Sequence, residues 1–197
     1  MNNNTQYCSI ARTGFGSLSL VIGGEVDCIM GEKPDDADDP IPWVELKTSV
    51  EIGNHPRELE KFERKLCRMW AQSFLLGVPK IIIGFRTQGG YLSSIQEFET
   101  QKIPGLVARS TNVWNGNVCI NMTSKFLEFL KQSIGGQEGV WRIKHARGAS
   151  GIYVNKIEET GTGQILRDAF KAHREKLLAT EIAHQLGRTN VVSTDDA

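Results

Sequence analysis

The sequence predicts an α+β fold: mixed β-sheets flanked by helices. Two patterns in the 197 residues carry this expectation. Short segments alternate between apolar and polar residues or run continuously apolar, bounded by Gly, Pro and Asp, as strands do. Between and after them stand longer segments whose apolar residues recur with the 3.6-residue period of a helix.

Taken in order, residues 6–12 and 17–29 read as strands, with Gly14 and Gly16 as the turn between them. Residues 30–42 form a polar loop carrying Asp35, Asp36, Asp38 and Asp39 with Pro34, Pro40 and Pro42. This loop lacks the Gly and terminal Glu of an EF-hand, so it reads as a solvated connection. A strand over residues 43–49 follows. A helix then starts near Asn54–Pro56, with Pro in its first turn, and stops at Gly77-Val78-Pro79. Its apolar face is Leu59, Phe62, Leu66, Met69, Trp70, Ser73 and Phe74. Lys80 to Phe85 is a continuous apolar run with β-branched residues, the pattern of a central buried strand. Residues 91–95 pair with it across Gly89-Gly90. A helix is expected over residues 123–133, with Phe126, Leu127, Phe129 and Leu130 inward. Residues 140–145 and 151–157 form a hairpin joined by Arg147-Gly148-Ala149, and a long helix runs from Gln164 to about Leu186. The expectation is one domain over residues 1–186 and a polar, disordered tail over 187–197.

Composition narrows the function. Lys plus Arg and Asp plus Glu balance at 23 each, so no global basic field draws in nucleic acid. Any nucleic-acid binding must be local. Cys8, Cys28, Cys67 and Cys119 are widely spaced with no C-x-x-C, which argues against structural zinc. A domain of this size buries roughly 70% of its unfolded surface and does not need disulfides. No apolar run reaches membrane-spanning length, and the Asn-rich start is not a signal peptide.

The chemistry concentrates in Glu25-Val26-Asp27 and Glu45-Leu46-Lys47. Strand side chains alternate faces, so Glu25 and Asp27 point one way, as do Glu45 and Lys47. If the strands pair, three carboxylates and one ammonium converge. Such an oxygen-rich set suits a hard divalent cation, Mg²⁺ or Mn²⁺. A cross-strand Glu–Lys pair that only stabilises the sheet is the alternative. Surplus negative charge at the edge of an apolar core favours the cation. On the helix over 54–76, Lys61, Lys65, Arg68 and Gln72 share a second face. That face is either a solvated surface or a basic stripe that tracks a phosphate backbone.

The residues of this argument also carry a resemblance. Gly24-Glu25-Val26-Asp27-Cys28, Val44-Glu45-Leu46-Lys47-Thr48-Ser49 and the stretch from Trp70 to Pro79 are similar to the DXO/RAI family of eukaryotic RNA 5′-end decapping nucleases. Gly84-Phe85-Arg86, Val118-Cys119-Ile120-Asn121 and Tyr7-Cys8-Ser9 extend it, over roughly residues 5–175. The resemblance implies a restriction-endonuclease-like core with a (D/E)xK strand. It implies that Glu25, Asp27, Glu45 and the carbonyl of Leu46 hold one or two divalent ions. It implies that Lys47 acts beside them, and that Cys8 and Gln72, with Glu25 and Lys47, contact the RNA 5′ end. It further implies removal of incomplete or non-standard caps, 5′-triphosphate and nicotinamide-type ends, with 5′→3′ trimming in some members. Some members bind and stabilise a 5′→3′ exoribonuclease, so a non-catalytic partner of that enzyme is a second reading. A DNA endonuclease sharing only the core is a third, opposed by the match at Gln72 and outside the core. The implied location is nuclear, with the cytoplasm open. The family's further metal-site glutamate and its earlier arginine have no counterpart in residues 1–24, so the chain is expected to correspond to the C-terminal part of the family fold.

Overall fold

The computed structural model describes residues 6–36, 39–161, 163 and 165–189; side chains are described up to residue 183. Strands β1 (Cys8–Phe15) and β2 (Leu18–Glu25) form an antiparallel hairpin closed by Gly16-Ser17, with Phe15 opposite Leu18. Gly16 sits at φ +58, where a residue without Cβ is favoured. Gly14, expected in the turn, lies inside β1. A Cβ there would stand 2.7 Å from the carbonyl oxygen of Leu18, so glycine answers a close approach between the strands.

The strand expected over 17–29 is divided. β2 ends at Glu25, and the N–H of Val26 closes the hairpin on the carbonyl of Tyr7 at 3.0 Å. Val26 is buried with Trp43 and Val78, a second small core. The chain then joins a different sheet as β3 (Cys28–Ile29). That sheet has the order β3, β4 (Trp43–Val50), β5 (Lys80–Arg86), β6 (Leu92–Glu99). Only β4 and β5 run parallel. Parallel neighbours need a crossover, and α1 (Pro56–Leu76) supplies it.

The ends of α1 are where the sequence places them. The His55 side chain accepts the N–H of Arg57 at 3.1 Å, and Pro56 opens the first turn. Gly77 at φ 72 ends the helix, with its N–H on Phe74 and that of Val78 on Ser73, a Schellman closure. Phe62, Leu66, Met69 and Trp70 pack on Ile81, Ile83 and Phe85 of β5, the main core. The Phe62 and Phe85 rings lie 5.4 Å apart. β5 is therefore fully buried on the face under α1 and half-buried on the other.

A short 3-10 turn (Thr100–Lys102) leads into α2 (Ile103–Arg109), which adds Ile103 and Val107 to this core. α3 (Gly116–Ile134) begins well before the expected Thr123, because the Asn115 side chain accepts the N–H groups of Asn117 and Val118. Phe126, Leu127 and Leu130 are half-buried as expected, but Phe129 is 40% exposed. It stands about 200° round the helix from Leu127, outside the apolar stripe.

Packing groups the chain into two units, Met1–Glu128 and Phe129–Ala197. The second holds the end of α3, the hairpin of β7 (Val140–Lys144) and β8 (Tyr153–Glu158), and α4 (Asp168–Thr189). α4 starts after the expected Gln164, which lies outside the described residues, as do Asp38 and 190–197. Gly187, the expected start of the tail, still belongs to α4. No helix among the described residues is long and apolar enough to cross a membrane.

Candidate active site

In β4, Glu45 and Lys47 share a face with Ser49, and register sets them beside Ile81, Ile83 and Phe85 of β5. Register partners in a sheet project to the same side. Glu45 therefore faces the α1-covered side, and only 3% of it is exposed. Its buried charge has a partner: the ammonium of Lys47, itself about one-quarter exposed, forms an ion pair with Glu45 Oε1. The side chain of Leu46 points to the opposite side and is half exposed.

Asp27 reaches the same strand from outside the ladder. β3 pairs Cys28 with Val44, so the next register position would set Asp27 against Glu45. The ladder stops there, and Asp27 Oδ2 takes the N–H of Leu46 at 2.7 Å. A strand residue directs its N–H and C=O to the same edge. The Leu46 carbonyl thus shares the edge that Asp27 occupies, beside Glu45. The next thiol, Cys28, lies 3.9 Å from the carbonyl of Val44. Burial first, and the Asp27 carboxylate second, push its pKa up.

Glu25 belongs to the β1–β2 hairpin, not to the sheet of β4. It ends β2, opposite Cys8 in the hairpin register, and both are exposed. Among the described residues no three His, Cys, Asp or Glu side chains gather closely enough to hold a metal ion. The expected convergence of Glu25, Asp27 and Glu45 is thus not a formed cluster. The reason is local: between Glu25 and Asp27, buried Val26 carries the chain from the hairpin to the second sheet. What the edge of β4 does offer is Asp27, Glu45 and the Leu46 carbonyl. These are hard oxygen donors that fit a divalent cation whose remaining positions are filled by water.

α1 adds the other groups. Lys65 Nζ donates to the carbonyl of Thr48 at 2.7 Å, which pins this point of α1 to β4. α1 runs back against β4 to make the parallel crossover. Gln72 lies about 10 Å further along α1 at ~1.5 Å per residue. Glu45 lies about 10 Å back along β4 at ~3.3 Å per residue. By rise alone, exposed Gln72 comes toward the Glu45 end of β4 rather than the Val50 end. The Lys65 pKa is lowered, first by burial, then by the positive charges of Arg86, Arg68 and Lys47. Arg86, at the end of β5 opposite Val50, is a site neighbour that the sequence reading left without a role. Glu63 of α1, only 1% exposed, also had no role in the sequence reading; it lies in the core, accepting the Thr111 hydroxyl and, through its backbone carbonyl, the Trp114 indole N–H at 2.8 Å. Its place between Phe62 and Leu66 on the apolar stripe was the available signal.

Comparison with known proteins agrees with this architecture. Residues 1–171 match a family model described as RAI1 like PD-(D/E)XK nuclease. The chain is 54% identical over 175 residues to a decapping nuclease RAI1 of Emericella nidulans, covering 88% of this chain and 48% of that protein. The crystal structure of Candida albicans Rai1 in complex with pU5-Mn²⁺ superposes with a TM-score of 0.79 at 28% identity, over 88% of this chain and 49% of that one. Scheffersomyces stipitis Rai1 in complex with (3′-NADP)⁺ and calcium ion superposes with a TM-score of 0.76 at 27% identity, over 88% and 47%. The chain spans about half the length of the curated relatives it matches. A (D/E)xK strand flanked by a docked aspartate, on a mixed sheet crossed by α1, is the expected nuclease core, and the chain belongs to the RAI1-like PD-(D/E)XK nuclease family.

Proposed function

We propose that the chain hydrolyses RNA 5′ ends with a divalent metal, Mg²⁺ or Mn²⁺, removing incomplete or non-standard caps, 5′-triphosphates or nicotinamide-type ends. The observation that carries this reading is the Asp27–Leu46 contact, which docks a second carboxylate against the Glu45-x-Lys47 strand. The names of the relatives support it, as do the pU5-Mn²⁺ and (3′-NADP)⁺ complexes of the two superposed structures.

Asp27, Glu45 and the Leu46 carbonyl would hold the ion, with Glu25 contributing through water from the end of the hairpin. A bound divalent ion supplies an activated water and neutralises phosphate charge. Lys47 adds a fixed positive charge on the same face, worth most where charge develops on the phosphate. Gln72, toward the Glu45 end of β4, offers amide donors and an acceptor to orient the 5′ nucleotide. Cys8, opposite Glu25, would line the approach. A nuclear location and 5′→3′ trimming belong to the same reading.

One observation favours a second reading. Glu45 is already neutralised by Lys47, and no three-donor group is formed among the described residues. A weakly active or non-catalytic partner that stabilises a 5′→3′ exoribonuclease fits that state. Incubating the chain with capped, triphosphate and monophosphate RNA, with Mg²⁺, Mn²⁺ or a chelator, separates the two. Ion-dependent release of the 5′ group, lost in Glu45→Gln, supports hydrolysis. Intact RNA under every condition overturns it.

A further inference from the structure

Several basic side chains gather at the β4–α1 seam. Lys65 is anchored to β4 through Thr48, and Arg68, Lys47 and Arg86 all act on its charge. Of these cations Lys47 is paired with Glu45; among the described residues no carboxylate pairs with Lys65, Arg68 or Arg86. Lys65 and Arg86 are half-buried and Arg68 is exposed, so this unpaired positive charge faces solvent, where an anion can reach it.

The cations also form a line. Along α1, Lys61, Lys65, Arg68 and Gln72 follow one face, spanning about 16 Å at ~1.5 Å per residue. The Gln72 end comes toward the Glu45 end of β4. The Lys61 end opens into a cleft of about 300 Å³, whose walls include Ser49, Lys61, Phe62, Lys65 and Gln88. Glu51 and Glu58 also border this cleft, and Glu58 is engaged by the N–H of Gly53 at 2.6 Å. The cleft thus combines cations, amide and hydroxyl groups and an aromatic edge, the set that single-stranded nucleic acid takes.

We infer that the seam from Gln72 past Arg68, Lys65 and Arg86 to the Lys61–Gln88 cleft binds the phosphodiester backbone of single-stranded RNA downstream of its 5′ end. This rests on the function proposed above and gives it a direction. The reacting end lies at Glu45 and Gln72, and the following nucleotides run toward the C-terminal end of β4.

Fluorescence anisotropy of the full chain with 5′-phosphorylated pU and pU5, in Ca²⁺ to slow turnover, tests this. Lys61→Gln/Arg68→Gln changes two exposed residues, and Arg86→Gln removes the cation from β5; thermal melts confirm folding. Each variant is expected to weaken pU5 roughly tenfold and to reduce the salt slope by about 0.7 per cation removed, with pU unchanged. Wild-type affinity and slope for pU5 in folded variants would overturn the track. Equal losses for pU and pU5 would also overturn it, since the cations would then act on the 5′ phosphate alone. If pU5 binding is lost in Asp27→Asn but kept in the basic variants, only the track fails. If the unaltered chain binds neither ligand, the proposed function fails with it.

Discussion

Replacing Asp27 separates its observed role from its proposed one: the carboxylate closes a strand edge and, on the proposed function, also offers charge to a cation. Oδ2 accepts the Leu46 N–H at 2.7 Å. A hydrogen bond to a charged acceptor contributes about 1.5–3 kcal/mol when dry. Asp27 is exposed, so water competes, and about 1 kcal/mol is the reasonable expectation here. Asp27→Ala is thus expected to lower Tm by about 2–4 °C for a chain of this size. Asp27→Asn keeps an acceptor oxygen of the same reach and should hold Tm within about 1 °C. Both variants remove the negative charge, so both should lose Mn²⁺ binding in a calorimetric titration. A Mn²⁺ isotherm in Asp27→Asn indistinguishable from that of the unaltered chain would refute the assignment of Asp27 to the ion. If Asn melts as early as Ala, the carboxylate charge and not the hydrogen-bond geometry holds the edge of β4.

Two other expectations probe α1. Thr111→Val leaves buried Glu63 without its side-chain donor, at a cost of about 1–3 kcal/mol; Tm should fall while the Mn²⁺ titration stays unchanged, and a parallel loss of Mn²⁺ binding would show that Glu63 supports the site as well as the core. The pKa of the Cys67 thiol is pushed up by burial first and by Cys119 second; at pH 8, iodoacetamide should modify exposed Cys8 roughly ten times faster than Cys67, and equal rates by mass spectrometry would mean that α1 opens in solution.

Local signals in the sequence locate most elements that position the site. Pro56 and Gly77 bracket α1, the alternation in β4 places Glu45 and Lys47 on one face, and the Gly89-Gly90 turn predicts β6 beside β5. What misled was the assumption that one strand carries Glu25 and Asp27. Burial does alternate there, but the hydrogen bonds of Val26 and Leu46 assign the two acids to different sheets. Such a partner switch is a long-range event with no local signature. α2 was not legible, because Pro104 and Gly105 weaken its helical pattern while Ile103 and Val107 are committed to the core by tertiary packing. Arg86 became meaningful only when the parallel register brought it beside Val50, within reach of Lys65.

If Glu45 holds the proposed metal, its ion pair with Lys47 and the metal site are two states of one carboxylate rather than rival interpretations. Glu45 is nearly inaccessible, and a buried charge requires a counter-charge at all times. Without a cation Lys47 provides it. A divalent ion at Glu45 must then compete with an ammonium already in place, which weakens its binding and releases Lys47 toward the phosphate. The consequence is counter-intuitive. Lys47→Met, which keeps the length of the side chain, should tighten Mn²⁺ binding, by roughly tenfold for each ~1.4 kcal/mol of competition removed. The same variant should hydrolyse RNA more slowly, by 10²-fold or more on the order seen when one aimed donor is removed. In chelator its stability, and with it its Tm, should drop because Glu45 is left uncompensated; the loss is about 2 kcal/mol once the partial exposure of Lys47 is discounted. Adding Mn²⁺ should then raise its Tm by more than it raises that of the unaltered chain. Calorimetry, melting with and without Mn²⁺, and single-turnover hydrolysis of triphosphate RNA read the three effects independently. Mn²⁺ binding in Lys47→Met no tighter than in the unaltered chain, with a Tm deficit that the ion does not repair, would show that Glu45 holds no metal and that the pair serves the sheet alone.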